Sequence, residues 1–361
     1  MSANTSIEWT DRTWNPVTGC RKVSPGCKHC YAEGVAHRFW ATQYRPVLRA
    51  TGRSIDTISM SLHGEYLKNG LAGPRRFTDV MTHEDRLLEP LSWRRPSKVF
   101  VNSMSDLFHE DVPDEFIDQV FAVMARAKQH TFQILTKRAG RMREYMTHPD
   151  TPWRIACEAE RLNWSEDAAD DVDMSDVSLE GWPLPNVWLG VSVEDQQRAD
   201  DRIPLLLQTP AAVRFISAEP LLERIDLETV PIPAPGAVVY GLRGVAQPLA
   251  EKDTEPDDWK YWTRHSAKLD WVIVGGESGP GARCFDVAWA RAIVRQCQAA
   301  GVPVFLKQFG ARWYDLDRRQ SPRGAVSVPV EARWTFIDGG NRKGSDPEEW
   351  PEDLRVREFP R

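Results

Sequence analysis

Short apolar runs recur along the chain, and each is followed by a polar or glycine-rich end and then by a helical pattern. The runs are nearly continuous rather than alternating, which is typical of strands buried on both faces of a parallel sheet. A shorter run at residues 14–17 is predicted to be the first strand. The six clearer predicted strands are residues 99–102, 132–136, 187–191, 213–217, 271–274 and 304–306.

Helical patterns occupy the intervals between these runs. Pro113 opens one predicted helix, and Val287–Ala300 is another, which ends at Gly301. Consecutive strand ends are at least 26 residues apart, which is long enough for a crossover helix. The pattern therefore predicts an α/β fold of about seven βα units, a full or partial TIM-type (β/α) barrel with inserted loops. An open doubly wound sheet is the alternative.

Two stretches interrupt the repeat. Residues of about 155–182 are strongly acidic and are predicted to form an exposed loop or lid. Residues of about 229–268 are rich in proline and then in charge, and are predicted to form a flap over the barrel mouth. The barrel is therefore assigned to residues 1–310, and a C-terminal extension with one strand at 333–337 is assigned to residues 311–361.

Composition narrows the class of protein. The 361 residues are 41% hydrophobic and 27% charged, which excludes disorder along the whole length. The chain shows neither an apolar run of about 18 residues nor a signal-peptide pattern, so a cytoplasmic protein that does not enter a membrane is expected. The net charge is −6, but the first 150 residues carry 21 Lys and Arg against 17 Asp and Glu. This basic half is compatible with an anionic ligand or a nucleic acid, and equally with chance scatter of charges on a solvated surface.

Three of the six cysteines, Cys20, Cys27 and Cys30, lie within one segment of eleven residues, here named the cysteine loop (residues 20–30). A disulfide framework is not expected in a large cytoplasmic chain. Pro25 and Gly26 predict a turn before Cys27, so that the three sulfurs converge at a helix start. Neighbouring cations and the helix N-terminus are expected to lower the pKa values of the thiols. The pattern predicts a metal or cluster site, against chance clustering or a redox thiol.

The sequence offers three cysteine ligands and no convincing fourth ligand, and this shortage bears on which metal centre is expected. A structural zinc site takes four ligands, and only His29 and His37 are near in sequence. His29 is expected to point away, and His37 lies about 10 Å further along the predicted helix. A [4Fe–4S] cluster with one open iron fits three cysteines, so it is favoured and zinc is the alternative. Cys297 is expected in the core, and Cys157 and Cys284 are given no role.

Polar side chains and glycines follow the predicted strands at their carboxyl ends, where α/β folds bind ligands. They are expected to surround the cysteine loop, although serines there are also common helix caps. The two glycines fit close approach to an adenosine or a carboxylate, or tight packing alone. The residues are Asn102, Ser103, Asp106, Lys137, Ser192, Glu194, Glu219, Gly275, Gly276, Glu277 and Lys307.

Residues 7–33, which include the cysteine loop, closely resemble an uncharacterised three-cysteine family of bacteriophage and prophage proteins. Residues 101–109, 216–221, 274–283 and 305–310 resemble further blocks of that family. The family in turn resembles radical S-adenosylmethionine enzymes, which have a partial β/α barrel and a three-cysteine loop after the first strand. The spacing here is C-x6-C-x2-C, where those enzymes usually have C-x3-C-x2-C.

The resemblance implies that Cys20, Cys27 and Cys30 bind a [4Fe–4S] cluster whose open iron binds S-adenosylmethionine. Reductive cleavage would then release a 5′-deoxyadenosyl radical that acts on a substrate, and a reductant protein would supply the electron. The phage association and the basic N-terminal half point to a nucleic acid or nucleotide substrate. By position, Asn102, Ser103 and Asp106 would meet the methionine amino group, Ser192 and Glu194 the ribose, and Glu277 with its glycines the methionine or adenine.

Two other functions compete with this one. In the first, a zinc-stabilised barrel binds nucleic acid without catalysis, and the pairs 75–76, 94–95 and 137–138 contact phosphates. In the second, a metal-dependent hydrolase uses Asp106, Glu219 and Glu277 as ligands or general bases, and the cysteines have no role. Iron, sulfide and zinc analysis separates the first of these from the radical enzyme.

Overall fold

Parallel strands lie side by side in this protein in the order in which they occur in the sequence. The structure is a computed structural model, and it describes residues 5–38, 40, 75–162, 179, 181–231, 237–248, 267–279, 281–315 and 343–360. Its strands are β1 (Arg12–Trp14), β2 (Val17–Thr18), β3 (Met81–Thr82), β4 (Lys98–Val101), β5 (Thr131–Thr136), β6 (Val187–Ser192), β7 (Val213–Ala218), β8 (Val230–Pro231), β9 (Ala237–Tyr240), β10 (Val245–Pro248), β11 (Trp271–Gly275), β12 (Phe285–Asp286), β13 (Val304–Gln308) and β14 (Trp313–Tyr314).

The helices alternate with the strands of the main sheet. They are α1 (residues 31–38), α2 (Glu84–Leu87), α3 (Asp114–Arg126), α4 (Ala139–Thr147), α5 (Thr151–Arg161), α6 (Gln196–Leu207) and α7 (Val287–Ala300). The predicted end of α7 is confirmed, because Gly301 follows it with φ 67°, a conformation that glycine adopts without strain. Within the described part of the chain, no helix has the length and apolar character needed to span a bilayer.

The main sheet has the order β1-β4-β5-β6-β7-β11-β13, and every neighbouring pair is parallel. A doubly wound sheet reverses its strand order at a switch point, and this sheet does not, so the doubly wound alternative is wrong. The sheet curls into a half-barrel flanked by helices. The predicted α/β class is therefore confirmed.

The six clearer strand predictions are confirmed to within one or two residues, but the first is wrong in its bounds. Strand β1 ends at Trp14, and Val17 instead begins β2, which pairs antiparallel with β3 outside the main sheet. Pro16 lies between them. Because proline has no N–H to donate and a fixed φ, the chain leaves the sheet there.

The two faces of the half-barrel carry different cores. Side chains alternate along a strand, and the face turned to the helices belongs to a large aliphatic cluster. The concave face carries a separate, mainly aromatic cluster that closes its floor. The buried members of this floor are Trp9, Phe215, Trp271, Ile273 and Phe305. The side chains of this cluster therefore fill the floor of the half-barrel, and folds of this kind bind ligands at the carboxyl ends of the strands.

The C-terminal segment 343–360 packs back onto the sheet. Trp350 and Leu354 are buried, and Leu306 donates its backbone N–H to the carbonyl of Val356 over 2.9 Å. The segment thereby covers the free edge of β13, and a free strand edge is a risk for aggregation. The strand predicted at 333–337 lies outside the described residues.

The first residues of both predicted insertions have regular secondary structure where a loop and a flap were predicted. The acidic lid was placed from residue 155, but α5 continues to Arg161 and buries Ile155 and Cys157, so residues 155–161 are helix rather than loop. Residues 163–178 and 180 lie outside the described residues. The second insertion contains a three-stranded antiparallel sheet of β8, β9 and β10, and its residues 249–266 are also outside the description.

Candidate functional site

The cysteine loop begins at the carboxyl end of β4. Ser105, just beyond β4, donates its hydroxyl to the carbonyl of Gly19 over 2.6 Å, and the N–H of Cys20 donates to the carbonyl of Phe77 over 2.8 Å. Gly19 has φ 93°, and a Cβ on it would lie 2.3 Å from the carbonyl oxygen of Asp79. Only glycine fits so close to the backbone of Asp79. The cysteine loop begins at the next residue, at the mouth of the half-barrel.

The three thiols lie on one loop, but among the described residues they do not form a group placed to hold a single metal ion. Cys20 and Cys30 pack against the same small apolar cluster around Phe77. Pro25–Cys27 forms a single 3-10 turn, and α1 begins directly after Cys30. All three cysteines are partly exposed and unbonded.

Glu194 fixes the middle of the cysteine loop from one side. It follows β6, its side chain is 1% exposed, and its Oε1 accepts the backbone N–H of Gly26 over 3.1 Å. Its Oε2 accepts from Arg202 on α6 over 3.0 Å. Each carboxylate oxygen of Glu194 therefore holds one internal contact, one to the loop and one to Arg202.

Arg283 fixes the same turn from the other side. Its Nη1 donates to the carbonyl of Pro25 over 3.0 Å. Its Nε and Nη2 bind the carboxylate of Glu277 over 3.0 and 2.7 Å, respectively. We name Glu194 and Arg283 the turn clamp. The predicted nearness of Glu194 and Glu277 to the cysteine loop is thus observed, the latter through Arg283.

Cys20 lies beside Arg138. The guanidinium Nη1 of Arg138 donates to the Sγ of Cys20 over 3.7 Å and to Asp106 over 3.2 Å. Burial and the charge of Asp106 nevertheless raise the pKa of Cys20 to about 12. The prediction that the surroundings lower the thiol pKa values is therefore wrong for Cys20, because burial and the carboxylate outweigh the guanidinium.

The cations expected to act on the thiols are mostly neutralised. Arg21 is half-exposed and forms an ion pair with Asp111 over 2.6 Å. Lys22 is also half-exposed and pairs with Glu33 over 2.7 Å. The nearest cation that is bound to a cysteine sulfur is Arg138, which sequence reasoning had placed in a phosphate-binding pair.

Asp106 joins the ends of β4 and β5. Its Oδ1 accepts from the backbone of Phe108 over 3.1 Å and from the hydroxyl of Thr136 over 2.7 Å. Its Oδ2 accepts from the backbone of Lys137 over 3.1 Å and also from Arg138. Both oxygens of this carboxylate are engaged within the protein.

Asn102 and Ser103 join the ends of β1 and β4. Asn102 has φ 61°, and its Oδ1 accepts the N–H of Val17 over 3.1 Å. Ser103 donates to Oδ1 of Asn15 over 3.1 Å. The Nδ2 of Asn102 is buried without a hydrogen-bond partner. Much of the hydrogen-bonding capacity of these polar side chains is therefore used within the sheet, to join the ends of neighbouring strands.

Glu219 and Lys307 form an ion pair across a glycine. The Nζ of Lys307 lies 2.6 Å from Oε1 of Glu219, although β11 runs between their strands. Gly275 lies beneath this bridge, because a Cβ on it would lie 3.2 Å from the carboxylate carbon of Glu219. A Cβ on Gly276 would lie 1.9 Å from the carbonyl oxygen of Phe309. Packing thus explains both glycines.

Gly276→Ala is expected to lower the free energy of unfolding by several kcal/mol, because the new methyl group overlaps a backbone carbonyl that cannot move aside. Gly140 on α4 is the matched control, since a Cβ there meets nothing within 4 Å. Gly140→Ala is expected to stabilise the protein by about 0.5–1 kcal/mol through helix propensity. Urea unfolding followed by circular dichroism measures both. Equal effects of the two substitutions would contradict this packing role of Gly276.

The carboxylates of the hydrolase alternative do not converge. Asp106 binds Arg138, Glu219 binds Lys307, and Glu277 binds Arg283. Over the described ranges, no three side chains of His, Cys, Asp or Glu are grouped so as to hold a metal ion.

The basic pairs of the nucleic-acid alternative are partly internal. Arg75 donates to the carbonyls of Thr18 and Asp79 over 2.8 and 2.9 Å. Arg138 is bound to carboxylates, as described above. Arg76, Arg94 and Arg95 are exposed. The basic residues of these pairs therefore differ in exposure and do not form a set of equivalent phosphate contacts.

Sequence reasoning missed Arg202 and Arg283, which support the loop. Each is separated from its glutamate by a few residues, eight for Glu194 and Arg202 and six for Glu277 and Arg283. For Glu194 the available signal was an arginine eight residues later on the following helix; Arg283 lies in a loop, and no local pattern pointed to it.

Low pH is expected to weaken the ion pairs of Glu277 and Glu194, which hold the cysteine loop in place. Burial disfavours the charge of Glu277, but hydrogen bonds from Arg283 outweigh it and lower its pKa. The pKa of Glu194 is lowered likewise, chiefly by Arg202 against burial. A carboxyl whose pKa is lower when folded stabilises the protein above its unfolded pKa, and this contribution is lost as the pH falls.

The free energy of unfolding is therefore expected to fall as the pH drops from about 5 to about 3, and to fall less steeply in Glu277→Gln. Urea titrations at a series of pH values measure both slopes. Glu228→Gln, at an exposed ion pair with Arg243, is the control and should keep the slope of the unchanged protein. Identical slopes for all three proteins would contradict the role of Glu277.

Residues 4–331 match the protein family described as "Protein of unknown function (DUF5131)". No curated protein and no solved structure matches the chain.

Proposed function

The chain belongs to the DUF5131 family, and from the geometry of its cysteine loop we propose that it is an iron–sulfur protein. In this proposal Cys20, Cys27 and Cys30 hold a [4Fe–4S] cluster, and one iron has no protein ligand. The observation that carries the proposal is the turn clamp. Glu194 and Arg283 hold the turn between Cys20 and Cys27 at the carboxyl ends of the strands.

The donors present favour three thiolates over three thiolates and a histidine. His29 is turned toward the glycine-rich loop, because its Cε1 lies 3.6 Å from the position of a Cβ on Gly281. His37 is 72% exposed and lies 4.0 Å from Glu33. Structural zinc takes four protein ligands, whereas a cluster with an open iron needs only three cysteines. The donor set therefore fits the cluster better than zinc.

The concave face beside the loop favours binding of a small molecule. Ser192 and Ser217 are register partners on β6 and β7, and both are buried. Gly275 lies on the same face of β11, and the pair of Glu219 and Lys307 adds charge. Small and polar side chains over an aromatic floor are typical of small-molecule sites.

We propose further that this small molecule is S-adenosylmethionine and that the protein is an enzyme that cleaves it reductively. When bound, the cluster would supply one electron at low potential, which is the chemistry of the radical enzymes that the sequence resembles. Ser192 would bind the ribose beside Glu194, whose oxygens each hold one contact, to the loop and to Arg202. The half-barrel has the partial β/α form that this resemblance implies. The proposed substrate is a nucleic acid or nucleotide, and a separate reductant protein would supply the electron.

Anaerobic purification and reconstitution, followed by iron, sulfide and zinc analysis, tests the cluster. We expect a brown protein with about four irons and four sulfides per chain. A colourless protein that carries one zinc and takes up no iron after reconstitution would overturn the proposal and favour the zinc-stabilised barrel.

Formation of 5′-deoxyadenosine tests the enzyme activity. The reconstituted protein is incubated with S-adenosylmethionine and dithionite, and the products are separated by chromatography. We expect 5′-deoxyadenosine and methionine in amounts that depend on reductant. If neither forms in protein with a full complement of iron, the S-adenosylmethionine part of the proposal is overturned and the cluster assignment stays.

A further inference from the structure

Arg138 is a buried cation beside one of the three cysteines. It lies at the junction of β5 and α4, and its side chain is 10% exposed. Two carboxylates fix its direction: Asp106 accepts from Nη1 over 3.2 Å and Glu110 accepts from Nε over 2.7 Å. With the guanidinium plane fixed in this way, Nη1 also donates to the Sγ of Cys20 over 3.7 Å.

The same guanidinium has an unused donor. Its Nη2 is buried and has no hydrogen-bond partner, and a buried donor without an acceptor costs about 1–3 kcal/mol. Nη2 adjoins Nη1 on one planar group, and Nη1 is the nitrogen that contacts Cys20. The guanidinium therefore keeps one donor that the described protein groups do not use.

We infer that Arg138 is a positioning residue that holds the Cys20 thiolate and raises the reduction potential of the group bound there. This inference rests on the proposed cluster. Hydrogen bonds to the sulfurs and nearby charge set the potential of an iron–sulfur centre. Arg138 compensates the charges of Asp106 and Glu110, and without it these two carboxylates would disfavour the reduced form, which carries one more negative charge. Removal of the guanidinium should therefore make the centre harder to reduce.

The test compares the reconstituted full-length protein with Arg138→Gln, Arg138→Lys and Arg141→Gln. Arg141 is the matched control, because it lies three residues after Arg138, on α4, and binds the carbonyls of His109 and Val112 together with Asp114. Redox titration followed by electron paramagnetic resonance gives the midpoint potential at constant pH. In Arg138→Gln we expect the equilibrium to shift tenfold or more toward the oxidised form, which is about 59 mV for one electron.

Arg138→Lys, which keeps the charge, is expected to have an intermediate potential, and Arg141→Gln that of the unchanged protein. An unchanged potential in Arg138→Gln with full iron content would overturn the inference and leave the cluster in place. Failure of the unchanged protein to load iron would instead overturn the proposed function.

A second measurement on the metal-free protein tests the contact with Cys20 without any cluster. Iodoacetamide labelling is followed site by site by mass spectrometry, with Cys27 as the internal reference. In Arg138→Gln the ratio of Cys20 labelling to Cys27 labelling should fall several-fold, because the Cys20 thiolate loses its donor. An unchanged ratio would overturn the contact even if Arg138→Gln failed to load iron.

Discussion

Glu194→Ala is expected to lower the free energy of unfolding by about 3–5 kcal/mol, because it leaves a buried arginine without its partner. The side chain of Glu194 is 1% exposed and that of Arg202 is 9% exposed, so water does not replace the lost carboxylate. The substitution also removes the acceptor of the Gly26 N–H. The cysteine loop then keeps only Arg283 of its turn clamp, and iron loading is expected to fall with stability.

Urea unfolding followed by circular dichroism measures the first effect, and iron content after reconstitution measures the second. The matched control is Glu228→Ala, at an ion pair in which Glu228 is 38% and Arg243 is 52% exposed. Exposed pairs contribute about 0–1 kcal/mol, so this variant should unfold almost as the unchanged protein does. A loss below about 1 kcal/mol in Glu194→Ala would show that the buried pair does not support the fold as described.

Cys27→Ser is expected to abolish loading of the cluster. Cys27 ends the 3-10 turn that the clamp holds, and a hydroxyl does not replace a thiolate as a ligand of iron in such clusters. The fold should be retained, because Cys27 is partly exposed and packs in neither hydrophobic core. The loss of iron is therefore expected without a matching loss of stability.

Cys284→Ser is the control for this substitution, since Cys284 is also a partly exposed free cysteine and lies outside the cysteine loop, directly after Arg283 of the turn clamp. Its iron and sulfide content and its visible spectrum should match those of the unchanged protein. Full iron content in Cys27→Ser would mean that the ligand set is misassigned. Loss of iron in both variants would indicate a general effect of cysteine removal.

The main sheet could be predicted because its strands are buried on both faces. Runs such as those of β5 and β11 have only one stable environment, so their hydrophobic pattern sets their position nearly to the residue. The cysteine loop stood out for a related reason, since three of the six cysteines lie within eleven residues around a Pro-Gly turn. In both cases the information is local.

The contacts that support the site could not be predicted, because they join distant parts of the chain. Gly26 and Glu194 are 168 residues apart, and Pro25 and Arg283 are 258 residues apart. Local patterns show that Glu194 follows a strand but cannot show whether its carboxylate faces a ligand or a loop. For Cys20 the expected pKa was wrong for the same reason, since burial and Asp106 act on it only in the folded protein.

The C-terminal segment packs into the core in spite of its composition. Residues 346–361 are rich in charge and proline, which is typical of an exposed tail. Trp350 and Leu354 nevertheless lie in the core, and Arg357 pairs with Phe305 on β13. A few apolar residues at the correct places are sufficient to dock such a segment.

This docking sets an order for events on the ribosome. A nascent chain that has emerged only as far as Gln308 already contains all seven strands of the main sheet, yet the outer margin of β13 has no partner until Val356 and Glu358 follow. During that interval the half-finished protein can recruit strands from neighbouring chains. The speed of translation across this last stretch, and the chaperones present there, will therefore influence how much of the protein reaches its native form.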